Sequence, residues 1–138
     1  MKKATILGIG NQREYNYIIV KRQKNFFEWL KALLSVFNFR SVDEEEEVNS
    51  KGETIGMKKK DINEFSDRHE SYWAVSKDTR ADVFYGKDKI FIAIITPLKN
   101  KNKLMKKLNS ISDFLKPKEE FDEEGWPKGS KGIDIHNN

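Results

Sequence analysis

The sequence contains no cysteine, only two histidines and three prolines, and no long apolar run. Without cysteine the chain has no disulfide, no thiolate nucleophile and no zinc site with sulfur ligands. Its longest apolar-rich stretch, FFEWLKALLSVFNF, covers about 14 residues and includes Glu28 and Lys31, whereas a membrane-spanning helix needs about 20 apolar residues. The N-terminal segment lacks the pattern of a secretory signal. These absences predict a soluble, cytoplasmic protein that folds without a disulfide or a structural metal.

The signatures of the common enzyme classes are absent as well. The sequence has no P-loop, no dinucleotide-binding fingerprint, no nucleophile elbow and no HExxH motif. Gly8 and Gly10 form a GxG, but without a third glycine and a following helix this spacing indicates only a turn. We therefore predict a protein that is not an enzyme and that binds no cofactor.

His69 is the one candidate for catalysis. It lies in SDRHESYW beside carboxylates, and a neighbouring carboxylate can orient an imidazole for general-base catalysis. In a strand, Asp67 and His69 would share a face, and Glu70 would lie on the opposite face. No partner nucleophile is identifiable, so a hydrolase built around His69 is a minor alternative to a polar residue at the start of a strand.

The acidic side chains do not have the spacing of a metal site. Residues 43–47 form one contiguous run, without the every-second-residue ligands and the turn glycine of a calcium loop. The second histidine, His136, lies far away in the C-terminal segment. We predict no metal site, and we expect the acidic run to be solvated because like charges repel.

Charge is what the chain has in excess, and its distribution is uneven. Charged residues make up 35% of the sequence, against about 25% in average domains, and the formal net charge is +4. Residues 1–42 and 55–116 each carry +6, whereas residues 43–54 carry −5 and residues 117–138 carry −3. The sequence thus describes a basic body with two acidic segments.

The first part of the chain predicts a hairpin followed by a helix. Residues 4–21 contain two runs rich in β-branched and aromatic residues, separated by a polar turn. Residues 26–38 repeat apolar side chains at helical spacing, and Asn25 is a candidate N-cap. After Phe39 the apolar pattern stops, so residues 40–53 are predicted to be a loop. Residues 55–68 fit a strand or a turn of helix equally well.

The second part predicts three strands and a second helix. HESYWAVS, ADVFYG and DKIFIAIIT are strand-like, and the last of them, apolar on both faces, is typical of a central, doubly covered strand. The helix starts at Asn100 or Asn102, continues its apolar stripe to Leu115 and ends before Pro117. The expected fold is an α+β domain over residues 1–116, with an antiparallel sheet of about five strands and two amphipathic helices packed against it. Residues 117–138 are predicted to be a polar, loosely ordered tail.

The acidic run is the first candidate for a binding site. A compact, cysteine-free, charge-rich α+β domain without a catalytic signature is of the type common among inhibitors, including the immunity proteins that bacteria make against their own toxins. Clustered carboxylates can occlude a basic cleft and speed association with it by electrostatic steering. We therefore expect a protein partner, such as a toxin or nuclease, to be bound through Asp43, Glu44, Glu45, Glu46 and Glu47.

A cluster of lysines at the start of the second helix gives the alternative. Ammonium groups near free backbone N–H groups can bind phosphate or another anion. No recognised nucleic-acid module accompanies them, and lysines also keep helix surfaces solvated. The alternative is therefore a nucleic-acid or anionic-ligand binding module that uses Lys99, Lys101, Lys103, Lys106 and Lys107.

Overall fold

The computed structural model of the protein describes residues 2–39, 41–60 and 69–115. The elements in chain order are β1 (Ala4–Gln12), β2 (Tyr15–Lys21), α1 (Phe26–Leu34), β3 (Glu44–Val48), β4 (Thr54–Lys59), β5 (His69–Trp73), β6 (Arg80–Tyr85), β7 (Lys89–Ile95), α2 (Lys101–Ile111) and β8 (Ser112–Phe114). Two short 3-10 turns, Ser35–Phe37 and Leu98–Asn100, adjoin the helices.

Six of the strands form one sheet in the order β5-β6-β7-β2-β1-β8. All neighbours are antiparallel except β1 and β8, which are parallel, with Ala4 opposite Ser112. The α+β class and the two helices are confirmed, but the predicted antiparallel sheet of about five strands is wrong in detail, because the sheet is mixed and has six. The difference is β8, whose three residues lie where the sequence predicted the helix to continue.

The second helix ends at Ile111 rather than near Leu115. Ser112 is already extended, with φ −136° and ψ 149°, and Leu115 is 63% exposed. The apolar spacing from Ile111 to Leu115 therefore does not mark a buried helical stripe. At Ser112 the backbone changes from helix to strand. In this strand Phe114 is partly buried against the core.

Both helices cover one face of the sheet, and the main core lies between them and the strands. The helices contribute buried aromatic and aliphatic side chains, among them Trp29 and Leu104. Strand β7 supplies Ile90, Ile92 and Ile94 to this core, and it supplies Phe91 and Ala93 to a smaller cluster on the opposite face. The prediction of a central strand buried on both faces is thus confirmed for β7.

The asparagines predicted to cap the helices use their side chains elsewhere. Asn25 precedes α1 without a capping bond, and its Nδ2 donates to the carbonyl of Lys2 at 2.6 Å. Asn100 precedes α2, and its Nδ2 donates to Thr96 Oγ1 at 2.8 Å. The first helix is also shorter than predicted, because a 3-10 turn follows Leu34 and Asn38 then adopts φ 55°, a left-handed conformation that ends the helix.

The acidic segment forms a strand over Glu44–Val48, so the prediction of a loop over residues 40–53 is wrong for those five residues. Strand β3 pairs with β4 as a separate two-stranded sheet, with Glu44 opposite Lys59 and Glu45 opposite Lys58. Opposite charges on facing positions stabilise such a ladder, whereas an acidic run considered alone is expected to repel itself. The strand alternative for residues 55–68 is confirmed over residues 55–59, which belong to β4, while residues 61–68 and the predicted tail, 117–138, lie outside the described residues.

Candidate functional site

The acidic run belongs to a protruding hairpin, residues 43–60, which we call the arm. At its base the backbone N–H of Lys60 donates to the carbonyl of Asp43 at 2.9 Å. At its tip Asn49 Oδ1 accepts from the backbone N–H groups of Lys51 and Glu53, and Gly52 has φ 81°. An asparagine that bonds its own turn and a glycine with positive φ are the residue types such a tip requires. Both ends of the arm are therefore defined by local hydrogen bonds.

One strand of the arm is anchored next to α1. Val42, which precedes the arm, is 1% exposed within the main core. Asp43 follows it and accepts a hydrogen bond from the Ser41 hydroxyl, and its carboxylate lies 3.6 Å from the ammonium of Lys31 on α1. The Ser41 hydrogen bond, opposed by partial burial and assisted by Lys31, lowers the pKa of Asp43 below its usual 3.8. Asp43 is thus an anchoring residue and not an exposed member of an acidic patch.

The other strand is anchored by a buried ion pair. The Lys60 side chain is 5% exposed and that of Glu70, on β5, is 11% exposed. The Lys60 ammonium donates to Glu70 Oε2 and to the hydroxyl of Tyr72, which itself donates to Glu70. The ammonium also lies 4.5 Å from the centre of the Tyr72 ring and 5.6 Å from that of Phe27. Burial, with the neighbouring Tyr85 and Glu70, raises the pKa of Tyr72, so its hydroxyl keeps its proton for this bond.

Beyond these anchors the arm is open to solvent. Every residue of β4 is exposed, and so are the last three residues of β3. Among the described elements, β3 and β4 pack chiefly on each other. Three large apolar side chains on the arm are more than half exposed, namely Val48, Ile55 and Met57. The arm therefore combines a fixed base with an exposed, partly apolar distal part.

The strand conformation divides the carboxylates between the two faces of the arm. Successive side chains of a strand point in opposite directions, so Glu44 and Glu46 share one face and Glu45 and Glu47 share the other. Glu45 lies 3.8 Å from the Lys58 ammonium across the ladder, whereas the face of Glu46 also carries Met57, its direct partner. The five predicted site residues, Asp43–Glu47, therefore form one anchor and two separate acidic pairs.

The five lysines of the alternative site are not brought together. Lys103 extends over the ring of Phe37, with 5.3 Å between the ammonium and the ring centre, and Lys107 lies one turn further along the same flank of α2. Lys101 lies on the opposite flank, beside β1 and β2, and Lys106 points outward. Lys99 precedes the helix in the 3-10 turn. The Ser76 hydrogen bond is the main cause that lowers the pKa of Asp78, and Lys99 contributes least to it.

His69 lies in a polar cluster on the sheet face that the helices leave uncovered. Its Nε2 is 3.3 Å from Ser71 Oγ and 3.5 Å from Asp82 Oδ1, while Ser71 donates to Asp82 at 2.6 Å. A catalytic triad needs two different imidazole nitrogens, one for the nucleophile and one for the carboxylate. Here one nitrogen faces both groups and the serine proton points to the carboxylate, so the cluster lacks the geometry that activates a nucleophile.

The sequence alone did not identify Ser71 or Asp82 as neighbours of His69. The alternation in HESYW places Ser71 on the face of His69, but only the strand pairing shows that Ser71 lies opposite Asp82. Asp67, the carboxylate that the sequence offered as a partner, lies outside the described residues. Glu70 points away from His69, as predicted, and joins the anchor of the arm.

Neither a recognised ligand site nor a relative assigns a role to this molecule. Across residues 2–39, 41–60 and 69–115, no three His, Asp or Glu side chains are grouped so as to hold a metal ion. In the same part of the chain no helix has the length and apolar character needed to cross a membrane. The chain has no significant match to a known protein family, a curated protein or a solved structure. The arm is therefore the feature on which a functional proposal rests.

The anchor at Asp43 makes a prediction about acid stability. Because the pKa of Asp43 is lowered on folding, its stabilising contribution is full above the ordinary pKa of 3.8 and is lost as pH falls through the lower folded value. Asp43→Asn should therefore reduce the free energy of unfolding at pH 6, and the difference from the native protein should shrink as the pH approaches 3. Urea denaturation at both pH values measures this. A difference that does not change with pH would show that the carboxylate charge is unimportant.

Proposed function

We propose that this protein is a non-enzymatic inhibitor, of the immunity type, that neutralises a protein partner by means of the arm. The observation that carries the proposal is the contrast between the anchored base of the arm and its exposed distal part. An interface element needs this combination, since a rigid base limits the entropy lost on binding and exposed apolar side chains supply contact area. The partner we expect is a toxin or nuclease with a basic cleft.

The composition of the arm agrees with such a partner. Exposed apolar side chains such as Met57 can enter a pocket, and the neighbouring glutamates can pair with basic groups around it. Carboxylates mainly speed association and confer specificity, whereas buried apolar anchors mainly slow dissociation. The face with Glu44, Glu46 and Met57 combines both features, and we assign the interface to it.

The test begins with the partner itself. The full chain is used as bait in extracts of the native cells, beside a variant in which residues 45–58 are replaced by Asn-Gly, a two-residue hairpin turn. We expect a protein that the native chain retains and the shortened chain does not. A protein retained equally by both would contradict the role of the arm. Nucleic acid retained by both would support the lysine-based alternative instead.

Paired neutralisations then test which face binds. Glu44→Gln/Glu46→Gln and Glu45→Gln/Glu47→Gln remove the same charge from opposite faces, so each is the control for the other. The first pair should slow association with the captured partner by roughly tenfold at low salt and flatten its salt dependence, and the second should have a smaller effect. Association rates that stay unchanged in both variants from about 50 to about 500 mM salt would refute steering by the arm.

A further inference from the structure

The outer edge of β4 is an open strand edge on the arm. Within the part of the chain that the structure describes, β4 pairs with β3 and with no other strand, and all of its residues are exposed. The backbone N–H of Lys60 faces β3, where it donates to the carbonyl of Asp43. By alternation, the backbone groups of Ile55, Met57 and Lys59 therefore face the open side, where another strand can pair with them.

The arm has an apolar face that is too small for two strands. A two-stranded hairpin is only marginally stable in water, and an independent sheet needs three or more strands with an apolar face. Ile55 and Met57 are 62% and 57% exposed, and they share a face because they lie two positions apart on one strand. A second hairpin beside β4 would double this apolar face and complete a sheet of four strands.

The sequence of the edge identifies the strand that it fits as β4 of a second copy. From Glu53 to Lys59 it reads ETIGMKK, with an acid at one end, apolar residues in the middle and lysines at the other end. In an antiparallel pair with Gly56 opposite Gly56, Ile55 lies opposite Met57 of the second copy, and their outward backbone groups exchange hydrogen bonds. Glu53 then lies opposite Lys59 of the second copy. Apolar pairs and opposite charges on facing positions stabilise such a ladder, so the edge is complementary to itself.

Other pairings of two arms bring like charges together. The outer edge of β3 carries the glutamates of Glu44–Val48, and two such edges would place carboxylates opposite carboxylates. A parallel pair of β4 strands would align Lys58 and Lys59 with the same lysines of the second copy. Edge lysines often prevent strand pairing, but the antiparallel register places Lys58 opposite Thr54 and Lys59 opposite Glu53. The lysines therefore select the antiparallel orientation.

Gly56 lies at the centre of this register. In a single copy a Cβ at position 56 would meet nothing within 4 Å, and Gly56 does not have a positive φ, so the fold of one chain does not require glycine there. A glycine within a strand costs stability, and it often marks a close approach of another backbone. Facing Gly56 residues would form a pair without mutual hydrogen bonds, the type in which the Cα atoms approach to about 4.5 Å.

We propose that two copies of the protein associate by antiparallel pairing of their β4 edges, which joins two arms into one four-stranded sheet. Ile55 and Met57 of both copies form a single apolar cluster on one face of this sheet. The pairing does not depend on the inhibitor proposal. It uses the strand edge and leaves the face with Glu44, Glu46 and Met57 open, so that a dimer presents this face twice.

Sedimentation velocity of the purified full chain tests the association. The contact is smaller than the roughly 1,200 Å² of a stable interface, so we expect a dimer with a dissociation constant on the order of 100 μM, seen between about 10 μM and about 1 mM protein. Glu53→Lys and Lys59→Glu each place like charges at both ends of the pairing, and each should weaken association about tenfold at low salt. An equal mixture of the two variants should associate as the native chain does, because every facing pair of positions 53 and 59 then has opposite charges.

Two further variants make the test specific. Lys106→Glu makes the same change of charge on the outward surface of α2 and should leave the association unchanged. Met57→Pro removes an N–H from the open edge and none from the β3–β4 ladder, so it should abolish the dimer. Because it leaves the charges unaltered, it decides the question if a charge variant loses the hairpin. The proposal is overturned if the native chain stays monomeric at about 1 mM, if Met57→Pro associates as the native chain does, or if the mixed charge variants, with intact hairpins, do not associate.

Discussion

Replacing Lys60 by methionine is expected to lower the free energy of unfolding by about 3–5 kcal/mol, the range found when one member of a buried ion pair is removed. The large effect follows from what remains, since the Glu70 carboxylate stays 11% exposed and loses the ammonium that compensates its charge. Methionine has nearly the length of lysine and is flexible enough to contact the rings of Phe27 and Tyr72. The lower free energy of unfolding should therefore result from the unpaired charge of Glu70 and not from a cavity at position 60. Urea denaturation of the purified variant measures it.

Two comparisons separate this explanation from a general effect of losing a lysine. Lys59→Met changes the adjacent residue, which is exposed at the base of the arm, and it should alter stability by no more than about 0.5 kcal/mol. The double variant Lys60→Met/Glu70→Gln removes both charges and should recover part of the loss. Equal stability of Lys60→Met and Lys59→Met would show that the ion pair contributes nothing to anchoring the arm.

Replacing Trp29 by alanine is expected to cost about 3–5 kcal/mol of unfolding free energy. This tryptophan is completely buried, contacts Phe26 in a tilted arrangement with 5.9 Å between ring centres, and donates from Nε1 to Ser112 Oγ at 3.0 Å. It thus joins the first helix to the short parallel strand β8. Alanine would leave a cavity and an unpaired hydroxyl, and both penalties act in the same direction.

The sequence offers a matched control in Trp73, which is 52% exposed and lies under the guanidinium of Arg80 at 5.4 Å. Trp73→Ala should lower stability by about 1 kcal/mol or less, the usual effect at an exposed site with one cation–π contact. Thermal or urea unfolding compares the two variants directly. Similar losses in both would mean that Trp29 does not hold the helix layer to the sheet.

The elements that depend on local periodicity could be predicted from the sequence. The stripe that begins at Phe26 identified α1, and the continuous apolar run from Ile90 identified a central strand, because each pattern repeats within one element. Helix ends were less accurate, since the side chains of Asn25 and Asn100 bond to groups other than the backbone of the helix that each precedes. Strand β8 was missed because three residues carry too little periodic signal to be separated from the helix before them.

The candidate sites depend on pairings that are distant in sequence, which is why only parts of them were found. The acidic residues were recognised, but the sequence did not show that Lys58 and Lys59, opposite Glu45 and Glu44 in the hairpin, partly neutralise their charge. Asn16 was not singled out in the sequence, although it is the one polar residue on an apolar face of β2. The bond from Asn16 to Ile94 spans 78 positions, and no spacing rule links two such residues.

The pairing of β8 with β1 has a consequence for the order in which the chain can be completed. During synthesis the hairpin partner β2 leaves the ribosome within a few residues of β1. The outer edge of β1 cannot receive Ser112, Asp113 and Phe114 until roughly a hundred further residues have been made. A nascent chain therefore displays an unpaired strand edge while those residues are being made, the kind of surface to which chaperones and other incomplete chains bind. Strand β8 then covers only the Ala4–Ile6 part of that edge, so this long-range pairing can form only after the β1–β2 hairpin.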